Sequence, residues 1–267
     1  MGHVGRITMP PTNDAALLYL WDRRTLFLGC LSEFMQLSQA AATLVIGLDQ
    51  AFVLESAGQQ LSCRSALLPV GSRVGLQAGS NRLAVWYLDP FGHDFALLRG
   101  RMAQQQAGLF MQLEQDSLWI EQHLELLAAD STPAQAYRLI EQLIGPDDGV
   151  APVFKADARI MTVVELIKRD VADNLSAQYL AAQVGLSEPR LLQLFKETLG
   201  VPIRRYRQWH RLFVTAVGVT RGLSLTDAAL EAGFTDSAHF SHTFRSILGT
   251  TPSAMFSPRG NIRLHAG

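Results

Sequence analysis

Cysteine is nearly missing from this chain. Cys30 and Cys63 are the only two in 267 residues, too few for the disulfide framework that holds small secreted domains together. Long apolar runs are missing too: the longest, Ala40 to Leu48, is about half of the roughly 20 residues a membrane-crossing helix needs. No transmembrane span or membrane partner is therefore expected. Residues Met1 to Asn13 lack the cationic start, apolar middle and small-residue cleavage site of a secretory leader, and the expected setting is cytoplasmic. Histidine is absent between Gly5 and Gly92, which removes the imidazole cluster that a metal site in this half would need. There is no Gly-x-Ser-x-Gly elbow, phosphate-cradling glycine loop or dinucleotide fingerprint. The expectation is a protein that is not an enzyme, with no catalytic residues, cofactor or metal.

What is present is a division of charge. Residues 1–154 carry 9 Lys+Arg against 15 Asp+Glu, while residues 155–267 carry 14 against 9. A basic half beside an acidic one points to different partners, a polyanion for the basic half among them.

Local pattern divides the chain at the same place. From Ala15 to about Leu98, short apolar runs such as Thr43 to Leu48 and Arg82 to Leu88 are cut by turns at Asp49-Gln50, Ser56-Ala57-Gly58, Pro69-Val70-Gly71-Ser72 and Ala78-Gly79-Ser80-Asn81. That spacing predicts an antiparallel sandwich or barrel. His93 and Asp94 follow Pro90-Phe91-Gly92 and are expected in a solvated turn. Two amphipathic helices follow, near Gln115 to Ala129 and from Thr132-Pro133-Ala134-Gln135 to Gly145-Pro146, the second opening on a capping box with Pro at its first position. Their apolar residues serve either as core or as a homodimer interface over Gln115 to Gly145. The segment from Gly145 to Pro152 is too rich in Gly, Pro and Asp to hold an element, and it reads as a linker.

The basic half contains an internal repeat. Leu175-Ser176 overlays Leu223-Ser224, and each pair precedes a short helix, Tyr179 to Val184 or Asp227 to Ala232. Next come Gly185-Leu186-Ser187 and Gly233-Phe234-Thr235: a Gly for a left-handed turn, an apolar plug, and a hydroxyl to cap a second helix. The second helices carry Leu191, Leu194, Phe195 and Leu199, or Phe240, Phe244, Ile247 and Leu248, and close at Gly200 and Gly249. The offset is 48 before the turn and 49 after it, so the second turn is one residue longer. Helix, glycine turn, capped helix is the helix-turn-helix, here twice.

From Arg159 to Phe256 these residues resemble the AraC/XylS family of bacterial transcription regulators. The signature is Glu231-Ala232-Gly233-Phe234-Thr235-Asp236-Ser237-Ala238-His239-Phe240-Ser241-His242-Thr243-Phe244-Arg245, followed by Gly249-Thr250-Thr251-Pro252. The resemblance implies an α+β multidomain chain: a cupin-like antiparallel β-barrel with helices for sensing and dimerisation over 1–146, a linker over 147–156, and an all-α domain with two helix-turn-helix motifs over 157–260. Seven helices are implied there, with a long one near Ile203 to Val219 between the two readers. Double-stranded promoter DNA, RNA polymerase, a small effector and a second copy of the chain are the implied partners, with activation the implied sense. Cupin metal sites would place a histidine pair near Ser38 and Gln39, where none stands.

Matched to the family pattern, Pro189, Leu192 and Gln193 face bases in the first reader, and Ser237, Ala238, His239, Ser241 and His242 do so in the second. Gln193 stands where an Arg is usual. Ser187, Arg190, Lys196, Arg204, Arg205, Thr235 and Arg245 supply phosphate contacts, which add affinity but little sequence information. Trp21, Phe27, Phe52, Trp86 and Tyr87 are candidate liners of an apolar effector site inside the barrel. Alternatives remain: an N-terminal half that binds a protein partner, a DNA-repair enzyme using Cys30 or Cys63, or an architectural DNA binder. Gln can read the N6 and N7 edge of adenine, so Gln193→Ala should relax one base preference by about 1 to 3 kcal/mol in a binding-site selection. Lys196→Ala should weaken all sequences alike and lower the salt slope of binding by about one.

Overall fold

Alternation of side chains across strands builds the first half. The computed structural model describes residues 16–31, 34–38, 40–89, 93–129, 131–145, 157–248, 251–256 and 262–267. The expected 147–156 linker lies outside them, as do residues 1–13, Gln39 and Gly249. One sheet contains β1 (Leu17–Leu20), β2 (Arg24–Cys30), β4 (Ala42–Gly47), β7 (Ser65–Leu68), β9 (Arg82–Leu88), β10 (Met102–Gln106), β11 (Leu109–Leu113) and β12 (Arg263–Ala266), in the order β10-β11-β7-β4-β9-β2-β1-β12. A second sheet, in the order β3-β8-β5-β6, is made of β3 (Phe34–Leu37), β8 (Val74–Gln77), β5 (Phe52–Ser56) and β6 (Gln59–Cys63). The sequence expectation of antiparallel strands is met throughout, except that β12 runs parallel to β1.

Both faces of the large sheet are covered. Leu26, Leu28, Leu44, Ile46, Ala84, Trp86 and Leu88 point to one side, where α1 (Asp94–Gly100), α2 (Asp116–Ala129) and α3 (Pro133–Ile144) lie. Phe27, Val45 and Val85 point to the other and meet Met35, Phe52, Leu54 and Leu76 of the second sheet. A strand buried on both faces reads as an unbroken apolar run, which is why Ala40 to Leu48 shows no alternation of polarity. The capping box of α3 forms, with the Gln135 amide donating to Thr132 Oγ1 and the Thr132 amide to Gln135 Oε1 at 2.8 Å. The apolar residues of α2 and α3, Trp119, Leu126, Leu127, Leu139, Ile140 and Leu143, are core. Within the single chain these residues pack inward, while Leu118 of α2 is exposed on the outside along with polar Glu121, Glu125 and Gln142.

Asp94 corrects the expectation of a solvated turn. It is buried at the start of α1 and pairs with Arg24 through both carboxylate oxygens, at 2.7 and 2.9 Å, while the Arg24 guanidinium lies over the Tyr137 ring. A turn segment was read as exposed because its buried partner lies 70 residues away in sequence.

From Ala158 to Phe256 the described elements of the basic half are all helices. Helices α4 (Ala158–Arg169), α5 (Ala177–Gln183) and α6 (Glu188–Leu199) share one core; α8 (Leu225–Glu231), α9 (Ser237–Leu248) and α10 (Pro252–Phe256) share another. Between them runs α7 (Ile203–Thr220), about 27 Å long at 1.5 Å per residue. The seven helices implied by the resemblance are these. Past α10 the chain returns to the N-terminal half as β12, an element that the sequence reading did not contain.

The large core also holds an imidazole. Trp86 Nε1 donates to His123 Nε2 at 2.8 Å, and His123 Nδ1 donates to the Trp119 carbonyl at 2.6 Å, so the ring is satisfied only when neutral. Burial, opposed by the Trp119 hydrogen bond, lowers the His123 pKa to about 4. The unfolded chain takes up this proton near pH 6.5 and the folded chain only near pH 4, so the stabilisation is complete above 6.5 and is lost as the pH falls through that window. Thermal melts should show a lower Tm at about pH 5 than at about pH 7.5, corresponding to a loss on the order of 2 kcal/mol, with a shallower decline in His123→Gln. Equal Tm values at the two pH values would contradict the neutral buried ring.

Candidate nucleic-acid interface

Each helix-turn-helix unit is built from a cap, a glycine turn and an apolar plug. In the first, Ser176 Oγ accepts from the Tyr179 amide at 3.0 Å, Gly185 takes φ +64°, and Leu186 tucks under α6. In the second, Ser224 Oγ accepts from the Asp227 amide at 3.1 Å and Gly233 takes φ +88°. Gly233 also presses against its surroundings: a Cβ there would lie 2.8 Å from the Ala172 backbone. Phe234 plugs this unit, edge-on to Phe240.

The caps of the two reading helices differ from the expectation. Ser187 stands at the α6 cap position but its hydroxyl makes no capping bond, and Pro189 occupies the first turn. In the second unit Asp236, rather than Thr235, accepts the capping bond, from the His239 amide at 2.7 Å. The extra turn residue moves the cap one position along, so Asp236 is the counterpart of Ser187. Thr235 donates to the Asp236 carboxylate at 3.1 Å, and these two bonds hold that carboxyl below its ordinary range.

Of the residues expected to read bases, Pro189, Leu192 and Gln193 are exposed on α6, and Ser237, Ala238, Ser241 and His242 are exposed on α9. Leu192 is 41% exposed, which places it on the surface rather than in the core. His239 is half-buried, with its ring turned back to Thr235 Oγ1 at 3.2 Å and edge-on to Phe234. Gln193 has a neighbour that sequence reasoning passed over. Its side-chain nitrogen donates to Glu197 Oε1 at 2.7 Å, and Arg190 stands 3.8 Å from the other Glu197 oxygen. The spacing of four between Gln193 and Glu197 was a legible signal of this contact.

Arg190, Lys196, Arg204, Thr235 and Arg245, expected at phosphates, are exposed. Arg205 is not placed with them: it is half-buried and donates to the carbonyls of Ser38 and Ser246. Arg207 and Arg211 are also spent internally, on the Leu175 and Val171 carbonyls that anchor the loop between α4 and α5.

A family profile described as a helix-turn-helix domain matches residues 180–257. An uncharacterised HTH-type transcriptional regulator of Staphylococcus aureus is 32% identical over 97 residues, 36% of this chain and 13% of that protein. The chain thus spans about an eighth of the length of that curated relative. The chain carries an AraC-type helix-turn-helix domain. Among solved structures, an apo form of ToxT from Vibrio cholerae, a lysine-to-alanine variant, aligns with a TM-score of 0.59 at 14% identity, covering 88% of this chain and 97% of that one. ToxT from Vibrio cholerae bound to (E)-4-(8-methylnaphthalen-1-yl)but-3-enoic acid aligns at 0.52 and 14%, covering 89% and 96%. At that identity the likeness is one of fold: an N-terminal β-sheet unit followed by the AraC-type domain.

The AraC-type domain meets the N-terminal sheet at an apolar cleft, open to solvent, with a cavity volume of about 80 Å³. Leu20, Phe27 and Tyr87 line it from the sheet; Trp209, Phe213 and Ala216 of α7 and Phe244 of α9 line it from the other side. Of the expected effector liners, Phe27 and Tyr87 face this cleft and Trp21 lies beside it in a polar neighbour. Phe52 and Trp86 are core and face neither. That neighbour also holds Arg23, Asp22, Asp89, Lys168 and His210. Burial, followed by the nearby Lys168 charge, lowers the His210 pKa to about 4. Cys63 is buried and its thiol is pushed up to about 12, which leaves little thiolate for alkyl transfer; Cys30 is exposed at the end of β2. Among the described residues no helix is long and apolar enough to cross a membrane.

Because Asp236 and not Thr235 caps α9, Asp236→Ala should lower Tm by a few degrees and loosen the second reader, while Thr235→Ala should change Tm less. Thermal melts of the two variants check this, and the reverse order would restore Thr235 as the cap.

Proposed function

We propose that this chain is a sequence-specific DNA-binding transcription regulator whose N-terminal half, cupin-like in sequence texture, senses a small molecule. One observation carries the reading: α7 joins two capped helix-turn-helix units with exposed reading faces and, along its opposite side, walls the cleft against the N-terminal sheet. A helix about 27 Å long can hold two readers on successive major grooves, which repeat every 34 Å or so. Anything that occupies the cleft changes how α7, and hence both readers, sit on the sheet.

The cleft suits a ligand with an apolar body and an acidic head. Phe27, Phe213, Trp209 and Phe244 offer an apolar wall. In the polar pocket beside it, Lys168 and Arg23 are held in long ion pairs, 3.9 Å to Asp22 and 3.8 Å to Asp89, so an arriving carboxylate can compete for them. The aromatic butenoic acid bound by ToxT is of this class. The domains act as 1–146 and 157–260, in the cytoplasm, with activation through RNA polymerase as the family resemblance implies and no catalytic step.

Selection from a random DNA pool at about 150 mM salt, where nonspecific phosphate attraction is weakened, should return two short blocks one helical turn apart. A pool with no enriched motif from both the full chain and residues 155–267 would overturn the reading. With (E)-4-(8-methylnaphthalen-1-yl)but-3-enoic acid as probe, tryptophan fluorescence should saturate and affinity for the selected DNA should change. The methyl ester should act more weakly, and Ala216→Trp, which fills the cleft, should abolish the response.

A further inference from the structure

Arg205 was expected at DNA, yet its guanidinium is committed elsewhere. Its Nε and Nη2 donate to the Ser38 carbonyl at 3.0 and 2.6 Å; Nη2 also donates to the Ser246 carbonyl at 2.7 Å, and Nη1 to Ser246 Oγ at 3.2 Å. Ser246 lies in the last turn of α9, where backbone carbonyls have no partner within the helix and the helix dipole favours a cation. Arg205 therefore closes the C-terminal end of the second reader. Ser38 belongs to the other half of the molecule, directly after β3, and α9 packs on that strand. Two residues further on, Ala40 is fully buried in the core of the first helix-turn-helix unit with Ile160, Leu194, Phe195 and Tyr206. Close backbone contact extends the junction, since a Cβ on Gly71 would lie 2.6 Å from the Gly200 carbonyl oxygen at the end of α6.

We propose that Arg205 is a positioning residue that couples the N-terminal unit to both readers, through the Ser38 carbonyl on one side and the α9 terminus on the other. The proposal rests on the DNA-binding reading above. The short stretch of chain that holds β3, Ser38 and Ala40 reaches both helix-turn-helix units, β3 by packing on α9 and Ala40 by entering the core of the first, and Arg205 joins Ser38 to the α9 terminus. Among the described residues the partners of Arg205 are carbonyl and hydroxyl oxygens. Burial and the neighbouring Arg73 both work against its charge, so the carbonyl dipoles compensate it. Planar donors in a fork can hold two carbonyls at fixed angles, whereas the point charge of a lysine cannot.

The test compares the full chain with Arg205→Lys and Arg205→Ala. Hydrogen exchange should rise in α9 and in residues 34–42 together in Arg205→Ala, and less in Arg205→Lys. In DNA binding, Arg205→Ala should keep the salt slope of the parent chain and the base preferences of the first block. It should weaken discrimination at the second block by about fivefold, roughly the effect of a lost charged helix cap, and tolerate altered spacing between blocks. A salt slope lowered by about one, as expected for Lys196→Ala, would make Arg205 a phosphate contact and overturn the proposal. Unchanged exchange in α9 would overturn it too. If the parent chain selects no DNA, the function proposed above fails while the exchange experiment still decides whether Arg205 couples the two units.

Discussion

Helix α7 has to satisfy three apolar surfaces at once, and the rest of the molecule is arranged around that demand. Its first turns, through Ile203 and Tyr206, complete the core of the first helix-turn-helix unit. Leu212 enters the core of the second, and Phe213, Ala216 and Val217 pack against the N-terminal sheet. A helix has about 3.6 residues per turn, so three faces of one helix leave little of it for solvent. Its arginines follow from this: Arg205, Arg207 and Arg211 lie in the seams between these faces and bond to backbone carbonyls. The second helices of both helix-turn-helix units are thus set by packing, and their outward side chains are left exposed.

Polar groups drawn inside the molecule share one logic. Arg24 meets Asp94 through two bonds and lies over Tyr137; His123 is neutral between Trp86 and the Trp119 carbonyl; Arg205 spans two carbonyls. Each gives a buried donor or acceptor its partner, because leaving one unmade costs more than an average bond contributes. Apart from the His123–Trp119 bond within α2, these partnerships join different elements, and for that reason each ties one layer of the molecule to another.

The helix-turn-helix pair was legible in the sequence almost in full. Ser176, Gly185, Ser224, Gly233 and the apolar plugs act within a few residues of one another, so their spacing alone carries the geometry. The one-residue longer second turn was visible as a change of offset, and it accounts for Asp236 taking the cap that Thr235 was expected to take. Gln193, Ser241 and His242 were placed through the family resemblance, and they are exposed on α6 and α9. The Gln193–Glu197 contact was within reach of helical spacing alone.

By itself the sequence determined the two halves, the antiparallel strands of the first and the repeated reader of the second, because periodicity, caps and turns are local. Only the tertiary structure decided that Arg205 faces Ser38, that Phe52 and Trp86 are core while Phe27 and Tyr87 line a cleft, that Asp94 is buried, and that the chain returns as β12 beside β1. These outcomes depend on which faces meet across long stretches of chain. An aromatic or an arginine has the same letter whether it packs inward, lines a cavity or bridges two units, and that choice is made when the sheet and α7 close on each other.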